Sequence, residues 1–408
     1  MVFSLQLRVS GPASLLAEAV VPHLKHIMNN IRIFIVIVFI ANTIIGCRQT
    51  SPNNSTDENQ FKEFHLSTST LEEVEMDKQV ISNLLDSLKT GFYPNRHSLL
   101  IYKDDKLVLE EYFSGKDENW GKDLGIVEHN DTVLHDMRSV SKSIVSACVG
   151  IAISQGKIKS VDQPIFDFFE DYWQFNNEGR EELTIKHLLT MTSGLKWNEE
   201  VPYDNPENSE IQMIESGDGI GFVLSRGLTS EPGTVWQYNG GTTEVLAEII
   251  KRVSGKNIHE FAKEFLFKPI GIERTEWTIS PSTNSPAAAS GLRLSSRDML
   301  KFGVLYHNGG KWGDVQIVPE KWIQESFKSN LELPSGGYGY QFWIFNINID
   351  GNLLKIPTAV GNGDQRIFFD QKNNLIVVTT SGNYNKWDIE NNAEAILKKI
   401  YTSFNLTK

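Results

Sequence analysis

Cysteine is nearly absent. Only Cys47 and Cys148 occur in 408 residues, which excludes a disulfide framework and a cysteine-rich metal site. Basic charge is thin and scattered: 39 Lys and Arg stand against 51 Asp and Glu, a net charge of −12. With no Lys/Arg cluster beyond isolated pairs, nucleic acid is not an expected partner. The nine histidines show no metal-ligand spacing, and His259-Glu260 lacks a second histidine four residues after the first. No metal and no cofactor are therefore expected. Gly361-x-Gly363 lacks the third glycine and the strand-to-helix context of a dinucleotide loop. Long apolar runs are missing too, apart from Ile33 to Ile40, which is short for spanning a bilayer without its flanks. What remains is 40% apolar, enough to bury a sizeable core.

The apolar run has its own logic. Met28-Asn29-Asn30-Ile31-Arg32 leads into it, and Ile44-Ile45-Gly46-Cys47 ends it before the chain turns polar. A basic start, a short apolar stretch and a small exit residue make a secretory signal. Its last four residues look like a bacterial lipobox, which implies cleavage before Cys47, acylation of that thiol, and a lipid-anchored place in the bacterial cell envelope, facing the periplasm or the cell surface. Residues 1–27 then precede the true start at Met28, residues 28–47 are the lipoprotein signal peptide, and residues 48–64, rich in Ser, Asn, Thr and Pro, are a flexible tether.

After Lys142 no charge appears until Lys157. A helix apolar almost all round belongs in the middle of a core. With Asp136 as N-cap, Ser139, Lys142, Ser143, Ser146 and Gly150 fall three or four apart on one face. Serine becomes a nucleophile when a base takes its proton, and lysine serves as that base when burial or a helix N-terminus lowers its pKa. Ser-x-x-Lys occurs three times, but Ser154 and Ser193 have a glycine inside the motif, so only Ser139 has the helix it needs. The same spacing also suits a core serine beside a lysine that reaches water.

Residues 98–102 and 107–113 read as a hairpin around a charged turn, and residues 71–88 as a helix before it. The middle is mostly helical, including residues 184–195, 243–253 and 296–306, and His187 is read there as structural. From Gly336 onward, short apolar runs split by Gly, Asn and Asp read as antiparallel strands, and residues 387–401 as a closing helix. The expected fold is α+β, with one antiparallel sheet built from N- and C-terminal segments (residues 65–155 and 290–408) and a mainly helical insertion (residues 156–289).

Three further stretches suit a Ser/Lys site. Tyr238, in Trp236-Gln237-Tyr238-Asn239-Gly240, is either a proton relay or a packing tyrosine. Val360-Gly361-Asn362-Gly363-Asp364-Gln365-Arg366 is either an approach for backbone N–H groups to an oxyanion or a hairpin turn. Trp197 and Trp236 either line an acyl pocket or pack. Cys148, inside the apolar helix, reads as a small buried hydrophobe.

Arg138-Ser139-Val140-Ser141-Lys142-Ser143, His187 to Leu195, Pro232-Gly233 through Tyr238, Gly291 to Ser295 with Asp298-Met299, and Gly361 to Arg366 occur in order. Together they resemble the serine β-lactamase-related hydrolases: class C β-lactamases, D-alanyl-D-alanine carboxypeptidases, esterases and 6-aminohexanoate-oligomer hydrolases. The resemblance covers roughly residues 65–400. It implies a β-lactamase/penicillin-binding-protein-like fold, Ser139 as acylated nucleophile, Lys142 as general base and Tyr238 as relay. The oxyanion hole would come from backbone N–H groups of Ser139 and of the terminal strand near Asn362, Gly363 and Asp364.

Two departures shape the expected chemistry. Tyr238-Asn239-Gly240 displaces the family's Tyr-x-Asn amide, and the strand motif carries no cation for a substrate carboxylate. Both point to a small-molecule ester or amide as substrate, cleaved by an esterase or amidase of the 6-aminohexanoate-oligomer type. The alternatives are a D-amino-acid peptidase or weak β-lactamase, or a catalytically silent envelope-binding lipoprotein.

Overall fold

The computed structural model describes residues 66–386, 389 and 392–404. The signal peptide, the acylated Cys47 and the tether lie outside the described residues. No described helix is long and apolar enough to cross a membrane.

Asp77 starts the first long helix by accepting the N–H groups of Gln79 and Val80. Helix α1 (Lys78–Lys89) begins later than its apolar spacing suggests, because Glu75, at φ 58°, ends a separate short turn. Strands β1 (Arg96–Lys103) and β2 (Lys106–Tyr112) form the expected hairpin. Asp104 and Asp105, at φ 51° and 61°, supply the two left-handed residues of its turn. A second hairpin follows, β3 (Ser114–Asn119) and β4 (Lys122–Glu128), then a two-residue strand β5 (His135–Asp136).

Asp136 is not the cap of the apolar helix. It is a buried strand residue whose carboxylate accepts the Trp120 N–H and pairs with Arg293 at 2.9 Å. Helix α2 (Val140–Ser154) starts four residues later, with Ser139 at its N-cap, and every residue from Val140 to Ala152 is buried. Arg138, at φ 48°, makes the turn between them. That left-handed conformation is held by ion pairs to Glu118 and Asp136 and by the face of Tyr384, 4.8 Å from the guanidinium.

The longest helix of the described helical middle is α3 (Gly240–Ser254), closed by Gly255 at φ 73°. Strand β6 (Leu292–Leu294) pairs with β5, and Ser295 caps α4 (Ser296–His307). The C-terminal strands of the main sheet are β7 (Leu331–Leu333), β8 (Gly336–Tyr338), β9 (Trp343–Ile349), β10 (Asn352–Gly361), β11 (Gln365–Asp370) and β12 (Leu375–Ser381), before α5 (Asn392–Tyr401). They form one eight-stranded sheet in the order β7-β8-β9-β10-β11-β12-β1-β2. All its pairings are antiparallel, so N- and C-terminal segments share one sheet, as expected.

Both faces of that sheet are covered. Leu99, Ile101 and Val377 pack with α1 and α5, while Leu100, Ile376 and Val378 join α2, α4 and the helical middle in a larger core. Burial on both faces is why β1 and β12 read as continuous apolar runs rather than alternating ones.

Candidate active site

The N-terminal end of α2 opens onto a cleft of about 380 Å3 lined by Ser139, Glu199, Tyr203, Tyr238, Trp343 and Lys386, among others. Ser139 and Tyr238 are half-buried at its wall, and Lys142 is buried beneath them. The Lys142 ammonium donates to Ser139 Oγ at 3.0 Å and to the Ala289 carbonyl at 3.0 Å, and lies 4.9 Å from the Tyr238 ring centre. Lys142 and Ser139 both act electrostatically on the Tyr238 phenol. The three residues singled out from the sequence are thus together.

The charge state of Lys142 corrects the sequence-based expectation. Burial by itself would lower its pKa, but Tyr238, Glu199 and Glu210 outweigh burial and raise it above the ordinary lysine value. Burial likewise raises the Tyr238 phenol, against the pull of Lys142. Serine, lysine and tyrosine therefore rest as a fully protonated set.

The strand motif settles as a turn. Gly361 pairs with Gln365, leaving Asn362, Gly363 and Asp364 as the loop between β10 and β11. All three line the cleft, but their side chains are not free for substrate. Asn362 Nδ2 donates to Asn385 Oδ1, and its own Oδ1 accepts the Asn385 N–H. Asp364 pairs with Arg96 and Arg366. Only backbone groups of this loop can serve an oxyanion. Gly361 matters for a different reason. A Cβ there would meet the Met137 carbonyl at 2.2 Å, so glycine lets β10 lie against the entry to α2.

The three proposed pocket residues sit behind the wall instead of in it. Asn239 is buried and caps α3 by accepting the Thr242 N–H at 3.1 Å. Trp197 is buried and donates from Nε1 to Glu199 Oε1 at 2.6 Å. Trp236 packs on Tyr238 and Trp343, and it is Trp343, stacked on Tyr238 at 6.0 Å, that faces the cleft. His187 is structural as read, its Nδ1 accepting the Thr184 N–H at 3.3 Å. Cys148 is buried, which pushes its thiol pKa up.

Sequence reasoning missed Glu199, Glu244 and Lys386. Glu199 Oε1 accepts from Trp197 and from the Gly240 N–H, and burial lifts its pKa to about 7. Glu244 accepts the Ala289 N–H at 2.9 Å, directly behind the carbonyl that holds Lys142. Lys386 brings a cation to the cleft from outside the strand motif. No local pattern marks these three. The nearest signal is an acid two residues after Trp197.

The family model described as Beta-lactamase matches residues 97–399, well over half of the chain. The chain belongs to the beta-lactamase family. Some of its named relatives lie outside the β-lactamases proper. It is 25% identical over 271 residues to the 6-aminohexanoate-dimer hydrolase of Paenarthrobacter ureafaciens, covering 60% of this chain and 66% of that protein. It is 28% identical over 153 residues to the lovastatin esterase of Penicillium rubens, covering 35% of this chain and 36% of that one. The match thus spans less than two thirds of either relative's length. The crystal structure of a family VIII carboxylesterase shares the fold at a TM-score of 0.58 and 16% identity, over 80% of this chain and 98% of the other.

Proposed function

We propose that the protein hydrolyses a small ester or amide through an acyl-enzyme on Ser139. The observation that carries this is the 3.0 Å contact between Lys142 Nζ and Ser139 Oγ at the floor of a cleft that Tyr238 also lines. Ser139 Oγ attacks the substrate carbonyl, and its proton passes to the Lys142–Tyr238 pair, which returns it to the leaving group. The pair accepts that proton only in its form with one proton fewer, so Lys142 and Tyr238 titrate as a unit. The first-turn N–H of α2 and the backbone of the β10–β11 loop are the candidate oxyanion donors. Names among the relatives support the ester and amide substrate class.

A fluorophosphonate probe should label the folded protein, with the adduct mapped to Ser139 by peptide mass spectrometry and absent from Ser139→Ala. An unlabelled, folded wild-type protein would sink the proposal. Loss of Lys142 should lower turnover on the order of 10²-fold or more, since base and nucleophile act together.

We also propose, from the lipobox-like Ile44-Ile45-Gly46-Cys47, that the enzyme is tethered to a bacterial membrane. Cys47→Ser should move the protein from the membrane fraction to the soluble one on cell fractionation, and an unchanged distribution would count against the anchor.

A further inference from the structure

Three histidines and an aspartate that the proposed chemistry does not use converge behind the nucleophile. His97 comes from β1, Asp117 from β3, His129 from the residue after β4 and His135 from β5. His97 is fully buried, and the other three side chains are at most 4% exposed. His97 Nδ1 and His135 Nε2 are 2.9 Å apart. Asp117 Oδ1 lies 3.6 Å from His135 Nε2, and Asp117 Oδ2 lies 3.8 Å from His129 Nε2.

The outer contacts fix which ring nitrogens carry protons. Asn95 Nδ2 donates to the Lys116 carbonyl at 2.9 Å, which turns Asn95 Oδ1 toward His97 Nε2 at 3.3 Å. His135 Nδ1 faces the Asp136 carbonyl at 3.0 Å. Each of these oxygens can only accept, so each outer nitrogen is the N–H. The inner nitrogens are then two lone pairs pointing at one another, beside a carboxylate that is also an acceptor. Among the described residues, His129 Nε2 and Asp117 Oδ2 are buried with no hydrogen-bond partner. Acceptors that converge in a dry site call for a positive charge between them.

The surroundings suit a metal ion. The outer N–H bonds to Asn95 and the Asp136 carbonyl, and the Tyr384 hydroxyl donating to Asp117 Oδ1 at 3.1 Å, are the supporting contacts that orient metal ligands. Zinc–nitrogen bonds of about 2.0–2.1 Å at tetrahedral angles separate ligand atoms by about 3.3–3.4 Å. The His97–His135 pair must open from 2.9 Å, and Asp117 Oδ1 close on His135 Nε2 from 3.6 Å, by roughly half an ångström or less.

We propose that His97, Asp117 and His135, whose ligand atoms all lie within 4.8 Å of one another, form a site for a divalent transition metal of the zinc class. Three protein ligands leave the fourth tetrahedral position to a water or hydroxide, and His129, stacked on His97 at 4.0 Å, flanks the site without aiming at the ion. The ion would fasten the polar β3–β4 hairpin to the main sheet four residues before Ser139.

The test uses full-length, tag-free protein in detergent, stripped with a chelator and then saturated with Zn2+ or Co2+. After gel filtration we expect one metal per chain, the strong visible absorption of tetrahedral Co2+, and a melting temperature that falls on chelation and returns with Zn2+. His97→Gln removes one imidazole ligand, and Asp117→Asn removes the carboxylate charge while keeping the acceptor for Tyr384. Either should weaken Zn2+ by more than the roughly 10- to 100-fold that loss of a supporting contact costs. Wild-type protein that emerges free of metal, with a melting temperature indifferent to chelator, would overturn the site in favour of a proton shared between His97 and His135. Equal metal retention in both folded variants would overturn it as well.

Discussion

Glu199 is the residue that sets the electrostatics of the cleft. Its carboxylate sits where it raises the pKa of both Lys142 and Tyr238. Glu199→Gln keeps the acceptor for Trp197 and the Gly240 N–H but removes the charge. Both members of the proton-accepting pair then lose a proton more readily. The rising limb of kcat/KM against pH, measured with a p-nitrophenyl ester, should move to lower pH in the variant. A limb that stays in place, or moves up, would show that Glu199 does not govern the pair. Ser139 and Lys142 were legible because three residues along one helix turn is a local pattern. Glu199 was not, because its influence on Lys142 acts through space from a loop.

At the scale of elements, α3 positions α2 through one short chain of contacts. Glu244 on α3 accepts the Ala289 N–H, and the Ala289 carbonyl accepts from Lys142 on α2. Burial first of all lifts the Glu244 carboxyl from an ordinary 4.5 to about 7, against the N–H groups of Ala289 and Ala288. Below pH 4.5 the folded and unfolded chains both hold this proton, and it costs nothing. As the pH rises through about 7, the unfolded chain has released it while the fold still binds it, so stability falls. The full cost above that range is on the order of 3 kcal/mol. Glu244→Gln keeps an acceptor without the charge, so it should gain stability relative to wild type between pH 5 and 8. Thermal melts across that range check this, and a constant difference between the two proteins would contradict it. Among elements, α2 was legible because an uncharged run can only be buried. The β3–β4 hairpin was not: Ser114 to Glu128 is mostly polar, and its cue is a left-handed Trp120-Gly121 turn at φ 48° and 89° that no apolar alternation flanks.

For the molecule as a whole, the order of elements carried the architecture. The N-terminal hairpin and the C-terminal strands each leave one edge to be paired, and β1 meets β12 to complete the sheet. The histidine cluster was hidden by the same property, since β1, two hairpin strands and β5 bring together residues that show no spacing in sequence. The closing of the sheet makes the C-terminal helix indispensable. Helix α5 covers one face jointly with α1, and Ile396, Leu397 and Ile400 are fully buried there with Ala393 and Tyr401. Burying each of the three aliphatic side chains is worth about 1.5–3 kcal/mol, so together they contribute about 5–9 kcal/mol. Domains of this kind keep only about 5–15 kcal/mol of net stability. A chain ending at residue 390 should therefore fail to fold, with α1 and the faces of Leu99, Ile101 and Val377 left open to water. Expression should give insoluble protein, or a soluble species that binds a hydrophobic dye and melts without a cooperative transition. A soluble truncated chain that unfolds cooperatively within a few degrees of the intact protein would show that α1 alone can cover that face.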